Sequence, residues 1–94
     1  MTRELIIDGV KINDESDCYV IAEIGQNHQG SVETCKQLFD SAKACGAHAV
    51  KIQKRNNFKL YTKEMFDSPY NSENAFAETY GTHREALEFN KEQY

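Results

Sequence analysis

Three polar side chains in this sequence are spaced so that they could act on one ligand. Glu23 lies near the end of an apolar run, and Lys51 and Gln53 lie near the end of a second apolar run, one helix later. A carboxylate can accept hydrogen bonds from sugar hydroxyls or move a proton, and a glutamine amide both donates and accepts. A lysine ammonium suits an anionic group. The set therefore indicates a site for an anionic ligand, such as a phosphate or a carboxylate.

The two apolar runs predict strands that place these three groups on one side. Side chains alternate along a strand, so Lys51 and Gln53 share one face while the apolar residues between them share the other. Glu23 has the corresponding parity in the first run. We expect Glu23 and Lys51 to be neighbours near the carboxyl ends of adjacent parallel strands, where ligands bind in barrels and open α/β sheets. A structural alternative stays open, in which the two charges only neutralise each other.

The elements that must position these groups are a strand, a helix and a second strand within residues 18–53. Residues 18–24 and 47–53 are nearly continuous apolar runs, which is typical of strands buried on both faces of a parallel sheet. Between them, apolar residues recur at helical spacing over residues 32–45. Ser31 is a favourable N-cap and Gly46 is the expected residue after the helix end. The pattern predicts a right-handed βαβ unit.

The flanking segments predict a hairpin before this unit and a long loop after it. Residues 1–13 form the hairpin, because Asp8-Gly9 between two apolar runs is the preferred two-residue type I′ turn. Residues 54–94 are a long polar connection with short helical turns near 62–66, a helix over 82–89 and the start of another. Asn90 and Gln93 have the spacing of a capping box at that start. From this start so close to the last residue, we expect the chain to be a fragment of a larger domain.

The other polar residues near the strands are further candidates. Asn27 and His28 follow the first strand and are possible loop contacts, although a loop histidine is more often solvated or hydrogen-bonded. His83 and Arg84 together could bind an anion or lie at the surface. His48 lies at the entry end of the second strand and is expected to be structural. The histidines match no metal-binding spacing, so we expect no metal site within these residues.

Composition limits the classes of protein that fit. The 94 residues, 39% hydrophobic and 28% charged, suit one small globular domain. The net charge of -4 argues against nucleic acid as a partner. No apolar run approaches the roughly 20 residues of a membrane span, and no signal peptide is evident, so we expect a cytoplasmic protein without a membrane partner. Cys18, Cys35 and Cys45 match no CxxC pattern and are expected to be small buried residues, with a disulfide or a catalytic thiol as alternatives.

The sequence resembles the N-acetylneuraminate (sialic acid) synthase family over essentially its whole length. Three blocks in order carry the resemblance: Ala22-Glu23-Ile24-Gly25-x-Asn27-His28-x-Gly30, Val50-Lys51-x-Gln53, and Tyr80-Gly81-x-His83-Arg84-x-x-Leu87-Glu88-Phe89. The chains of this family are several times longer. The resemblance therefore implies that these residues correspond to the N-terminal part of such a protein.

This resemblance implies a fold and a reaction. Members fold as a (β/α)₈ barrel preceded by a hairpin, carry a C-terminal antifreeze-like domain and typically form homodimers. The implied fold class is α/β, an N-terminal β-hairpin followed by the first βαβ unit of a TIM barrel. Members condense phosphoenolpyruvate with N-acetylmannosamine, its 6-phosphate or a related amino sugar. The products are a nine-carbon 2-keto sugar acid and phosphate, and a divalent metal, Mn²⁺ or Mg²⁺, polarises the sugar aldehyde.

The resemblance also implies roles for individual residues. Glu23 matches the carboxylate that touches the amino sugar near the reacting centre, Lys51 matches the lysine that binds phosphoenolpyruvate, and Gln53 lines the same pocket. Asn74 lies where some members place a sugar-binding asparagine. The two metal-binding histidines of the family have no counterpart here. Two alternatives stay open: a non-catalytic truncated product or partner-binding module, and a related barrel aldolase or keto-acid synthase that shares only the first strand.

Overall fold

A computed structural model describes residues 3–94, which form an α/β structure with two small sheets and several helices. The strands are β1 (Glu4–Ile7), β2 (Val10–Asn13), β3 (Ile21–Gly25) and β4 (Ala49–Ile52), and the helices are α1 (Val32–Ala44), α2 (Asn57–Leu60), α3 (Lys63–Asp67) and α4 (Tyr80–Leu87). The α/β class predicted from the sequence is confirmed. In the described part of the chain, no helix has both the length and the apolar character needed to cross a membrane.

The predicted hairpin is confirmed as an antiparallel pair of β1 and β2. Asp8 and Gly9, with φ of 47° and 80°, are both in the left-handed region that a type I′ turn requires. Residues 1 and 2 of the predicted hairpin lie outside the described residues. Leu5 and Ile6 of β1 are 57% and 60% exposed, so the hairpin offers uncovered apolar surface.

The predicted βαβ unit is present as β3, α1 and β4, with β3 and β4 parallel. Glu23 lies opposite Lys51, and the register then shifts before Gly25, which has a φ of 58° and pairs with Ile52. Both strands are shorter than the predicted runs 18–24 and 47–53. Before β3 the chain still contacts β4, because the carbonyl of Val20 accepts hydrogen bonds from the N–H groups of residues 48 and 49.

Local sequence signals set both ends of α1 as predicted. The Ser31 hydroxyl accepts a hydrogen bond from the N–H of Thr34, 3.1 Å away. At the other end, Gly46 has a φ of 91°, and the N–H groups of Gly46 and Ala47 donate to the carbonyls of Lys43 and Ala42. These two bonds form a Schellman motif, which explains why the helix stops before β4.

The prediction of three buried cysteines is correct for one of them. Cys35 is buried on α1, and burial raises the pKa of its thiol, as expected for an unreactive side chain. Cys18 and Cys45 are exposed. Cys18 precedes β3 rather than opening it, and Cys45 caps the last turn of α1 beyond its packed part. All three thiols are free, so the disulfide alternative finds no support.

The long connection after β4 is more ordered than a loop. Helical turns were predicted near 62–66, and α3 confirms them. An antiparallel bridge between Pro69 and Thr79 returns the chain to α4. Thr79 and Thr82 form a reciprocal capping box, so α4 starts at Tyr80 and not at residue 82 as predicted. The predicted capping box of Asn90 and Gln93 is present, with bonds of 2.8 and 3.0 Å.

The buried apolar core is small and gathers where α4 ends against the loop after β3. Its members are Ile24, Cys35, Leu87 and Phe89. Burial of Leu87 was predicted, but Ala86, also predicted to face inward, is exposed. Gly30, with a φ of 79°, makes the close approach possible, because a Cβ there would lie 2.6 Å from the carbonyl oxygen of Ala86. The structure is extended, because its radius of gyration is 17.6 Å and a compact domain of this length has about 12 Å.

We predict that residues 1–94 produced alone self-associate and do not catalyse any synthase reaction. Ile21 and Phe58 are 55% and 70% exposed, and each of the described sheets has only two strands, which leaves strand edges unpaired. Light scattering coupled to size exclusion tests the first half, and a phosphate-release assay tests the second. A stable, active monomer would contradict both.

Candidate functional site at the ends of β3 and β4

Glu23 and Lys51 form an ion pair, with 3.0 Å between Oε2 and Nζ. They are opposite each other in the parallel register, so their predicted placement on one side of the strands is confirmed. The side chains are 46% and 61% exposed. A pair this open contributes about 0–1 kcal/mol to stability. Stability is therefore a weak reason for the two charges to be here, and both charges are accessible to a ligand.

Gln53 lies one residue beyond β4 and faces the same space as Lys51. Both residues line an open cavity of about 700 Å³ at the end of the strand. The Oε1 atom of Gln53 accepts a hydrogen bond from Nη2 of Arg55 at 2.5 Å. Its carbonyl accepts one from the hydroxyl of Tyr94 at 2.9 Å. Arg55 thus fixes the side chain of Gln53 and Tyr94 its main chain, and neither residue was predicted from the sequence to belong to the site.

The Glu88 carboxylate organises the backbone on the rim of this cavity. Its side chain is only 7% exposed. It accepts hydrogen bonds from Nε2 of Gln26, from Nζ of Lys54 and from the N–H of Arg55, at 2.8, 2.6 and 2.7 Å. It thereby joins the loop after β3, the residues after β4 and the end of α4. The hydrogen bond between Lys54 and Glu88 also raises the pKa of the Lys54 amine.

Sequence reasoning missed Glu88 and Arg55 as organising residues. Glu88 joins positions 33 and 34 residues away, and no local pattern encodes a contact at that separation. One signal was available for Arg55: two adjacent cations, Lys54 and Arg55, follow directly on the end of β4, where the binding edge was expected.

His28 was a possible loop contact or a solvated or hydrogen-bonded residue; the ring is buried and hydrogen-bonded, and its role as a ligand contact stays a prediction. The ring is 1% exposed and stacks on Phe89 with 3.9 Å between ring centroids. Its Nδ1 accepts the N–H of Gly30 at 3.0 Å, while Nε2 has no partner among the described residues. Burial lowers the pKa of His28, although the nearby Glu88 carboxylate opposes this.

His83 is also buried, so the surface alternative for its ring is wrong, and its anion-binding role with Arg84 stays a prediction. Its Nδ1 accepts the N–H of Phe76 at 3.1 Å. Burial and the neighbouring Arg84 lower its pKa. Arg84 donates to the hydroxyl of Tyr80 at 3.1 and 3.0 Å and to Oε1 of Gln26 at 3.4 Å. Its guanidinium therefore lies against α4 and the loop after β3.

We predict that the two buried histidines make stability fall at mildly acidic pH. Both pKa values lie below the ordinary value of 6.5, so the unfolded chain binds more protons once the pH drops below 6.5. The thermal midpoint of the full-length protein should therefore be lower at pH 5.5 than at pH 7.5. Replacing His28 and His83 together with glutamine should flatten this slope. An unchanged slope in the double variant would remove these residues as its source.

The other predicted residues lie around the site in different ways. Asn27 is exposed, and its side-chain amide donates to the carbonyl of Ile24 at 2.7 Å. Asn74 is exposed in a turn of the long connection and does not line the cavity of Lys51. Its sugar-binding role stays a prediction. His48 was predicted to be structural: its Nδ1 accepts the N–H of Val20 at 2.9 Å and its ring stacks on Tyr19, which confirms this.

Residues 3–94 do not fit a divalent metal. No group of three or more histidine, cysteine, aspartate or glutamate side chains among them is arranged to hold an ion. His28 and His83, the histidines nearest the core, are buried and already accept backbone hydrogen bonds. That the metal ligands of the protein lie outside these residues stays a prediction.

The fold and this geometry define an α/β protein with a charged pair at the carboxyl edge of two parallel strands. The model of the NeuB family matches residues 38–94, which is more than half of the chain. The chain belongs to the NeuB family, and the resemblance seen in the sequence is confirmed.

Curated relatives match most of the chain. It is 51% identical over 76 residues to the N-acetylneuraminate-9-phosphate synthase of Drosophila melanogaster, covering 81% of this chain and 20% of that protein. The Homo sapiens protein of the same name is 39% identical over 83 residues, covering 88% and 23%. The N,N'-diacetyllegionaminic acid synthase of Legionella pneumophila is 39% identical over 70 residues, covering 73% and 20%. The chain thus spans about a fifth of the length of these sialic-acid-type synthases.

Proposed function

We propose that the protein containing these residues condenses phosphoenolpyruvate with an N-acyl amino sugar, N-acetylmannosamine or its 6-phosphate. The product would be a nine-carbon 2-keto sugar acid, with release of phosphate. The observation that carries this proposal is the Glu23–Lys51 pair, exposed at the ends of adjacent parallel strands. It supports the proposal because the chain belongs to the NeuB family and its relatives are named as synthases of such acids.

The proposed chemistry assigns each side chain a task that its position allows. C3 of phosphoenolpyruvate bonds to the aldehyde carbon of the sugar, water adds at C2, and the C2–O bond to phosphate breaks. Lys51 binds the anionic phosphoenolpyruvate, and the Gln53 amide donates to it from the same cavity wall. Glu23, 3.0 Å from Lys51, would orient the amino sugar or move a proton at the aldehyde oxygen. Asn74 would contact sugar hydroxyls.

We propose that β3, α1 and β4 are the first βαβ unit of a (β/α)₈ barrel. In such a barrel the active site lies at the carboxyl ends of the strands, and inward-facing side chains fill the interior. Ile21, Glu23 and Lys51 share one parity and are exposed among residues 3–94. They would form part of that interior once further strands cover them.

The proposal extends to a cofactor, a partner and a location. A divalent ion, Mn²⁺ or Mg²⁺, would be bound by residues outside 3–94, because the described residues do not fit one. The protein would act as a homodimer in the cytoplasm. The alternative of a separate, non-catalytic binding module is not favoured, because the curated relatives carry the names of synthases.

An activity assay on the full-length protein tests this function. Phosphate release would be followed with phosphoenolpyruvate and either N-acetylmannosamine or its 6-phosphate, with and without Mn²⁺, and the product identified by mass. We expect one of the two sugars to give stoichiometric phosphate and a nine-carbon acid. No phosphoenolpyruvate consumption with either sugar, by a folded protein, would refute the proposed function.

A further inference from the structure

The wall of the cavity beside Lys51 includes a second cation, Arg55. Lys51 has a counter-ion, but Arg55 has none within residues 3–94. The cavity wall includes Lys51, Gln53, Arg55 and Tyr61. Lys51 is paired with Glu23. Within residues 3–94, the guanidinium of Arg55 has no carboxylate within 4 Å. A half-buried guanidinium that no carboxylate neutralises can attract an anionic ligand.

Neutral acceptors orient this guanidinium. Nη2 donates to Oε1 of Gln53 at 2.5 Å, and Nη1 lies 3.4 Å from the hydroxyl of Tyr61. A guanidinium has five N–H donors in a fixed planar arrangement, so three remain for a ligand. These two hydrogen bonds fix the orientation of the guanidinium, and because both acceptors are neutral, its positive charge stays available to a ligand.

The neighbouring carboxylate is committed elsewhere. Glu88 binds the backbone N–H of Arg55 at 2.7 Å, yet its counter-ion is the ammonium of Lys54 at 2.6 Å. Lys54 also donates to the carbonyl of Arg55 at 2.9 Å. Glu88 and Lys54 therefore fix the main chain of Arg55 and neutralise each other, and the Arg55 side chain keeps its charge for the cavity.

The contact with Arg55 also sets the orientation of the Gln53 amide. Because Oε1 faces the guanidinium, the end of the amide left for a ligand is the Nε2 donor. Lys51, Gln53 and Arg55 then present only hydrogen-bond donors to the cavity. A wall of donors with a net positive charge suits the oxygens of a phosphoryl group, which an arginine binds through two parallel hydrogen bonds.

We propose that Arg55 is a further substrate-binding residue of this site, that its ligand is a phosphoryl group, and that it fixes Gln53 as a donor to the same group. This inference rests on the proposed function. Two substrates could supply the phosphoryl group, phosphoenolpyruvate and a 6-phosphorylated amino sugar.

Binding and kinetics on the full-length protein test the inference. The variants are Arg55→Met, which removes the charge at similar length, and Arg55→Lys, which keeps the charge and loses the planar fork. Lys36→Met is the matched control, because Lys36 is exposed on α1 and lines no described cavity that contains Lys51. Calorimetry measures phosphoenolpyruvate binding. Kinetics vary phosphoenolpyruvate, N-acetylmannosamine and N-acetylmannosamine 6-phosphate in turn, and circular dichroism checks folding.

Arg55→Met should raise the Kd or KM of one phosphorylated substrate roughly 10- to 100-fold, with a smaller change in kcat. Arg55→Lys should restore part of this loss, and Lys36→Met should change nothing. A rise for phosphoenolpyruvate assigns the phosphoryl group to that substrate. A rise for the 6-phosphate, without one for the unphosphorylated sugar, assigns it to the sugar.

Unchanged constants for all three substrates in a folded Arg55→Met protein would overturn the inference. If that variant does not fold, Arg55→Lys decides: constants equal to those of the unaltered protein would overturn it. A protein that binds phosphoenolpyruvate through Arg55 but condenses it with neither sugar would refute the proposed function and leave the role of Arg55 intact.

Discussion

Glu23→Gln in the full-length protein is expected to lower kcat by roughly 10²- to 10⁴-fold, the range for loss of a positioned acid–base group. The substitution keeps the shape of the side chain and removes its charge. The KM for phosphoenolpyruvate should not rise, because the Lys51 ammonium, now 3.0 Å from a carboxylate oxygen, is released from its counter-ion. Steady-state kinetics with each substrate varied separately would measure both effects.

Glu33→Gln is the matched control for this experiment. Glu33 is an exposed carboxylate in the first turn of α1, so its loss should leave kcat unchanged. Normal turnover in Glu23→Gln would instead support the structural alternative, in which Glu23 serves only as the counter-ion of Lys51.

Lys51→Met is expected to raise the KM for phosphoenolpyruvate roughly 10- to 100-fold, the value of a lost charge-assisted hydrogen bond. The Lys51 side chain is 61% exposed at the cavity wall, so methionine should fit there without disturbing the core. The change in kcat should be smaller than the change in KM. Kinetics in phosphoenolpyruvate at saturating sugar test this, with Lys36→Met as the charge-matched control.

A double variant separates the roles of the two partners. Because the two side chains are in contact, some coupling is expected, but if Glu23 acts on the sugar and Lys51 on phosphoenolpyruvate, the coupling energy should be smaller than either single effect. A large coupling energy would mean that the two residues work mainly through each other. An unaltered KM in Lys51→Met would rule out this lysine as the phosphoenolpyruvate ligand.

Short-range patterns predicted the elements that carry the site. Asp8-Gly9 specifies a type I′ turn, and Ser31 and Gly46 delimit α1, because turns and caps depend on a few adjacent residues. Strand parity, together with the predicted pairing of adjacent parallel strands, was enough to place Glu23 beside Lys51, since side chains alternate along a strand with a period of two.

Long-range packing accounts for what the sequence did not predict. His28 reads as a loop residue, and its burial depends on Phe89, which is distant in the sequence. The role of Glu88 depends on Lys54 and Arg55 in the same way. The start of α4 at Tyr80 was missed for a local reason, because Thr79 and Thr82 form a capping box with threonine at the position where glutamate or glutamine is usual.

The hydrogen bonds of Glu88 to Lys54 and Arg55 have a consequence for how the sequence between these residues could change in evolution. Because Glu88 binds Lys54 and Arg55, residues 56–87 form a long loop whose two ends are fixed beside the strand that carries Lys51. The entropy of closing a loop grows slowly, by about 0.6 kcal/mol per doubling of its length. Residues inserted at the exposed tip near Asn71 would therefore cost little stability. Evolution could lengthen or reshape this loop, and so change any sugar contact made by Asn74, while the strand ends stay in place.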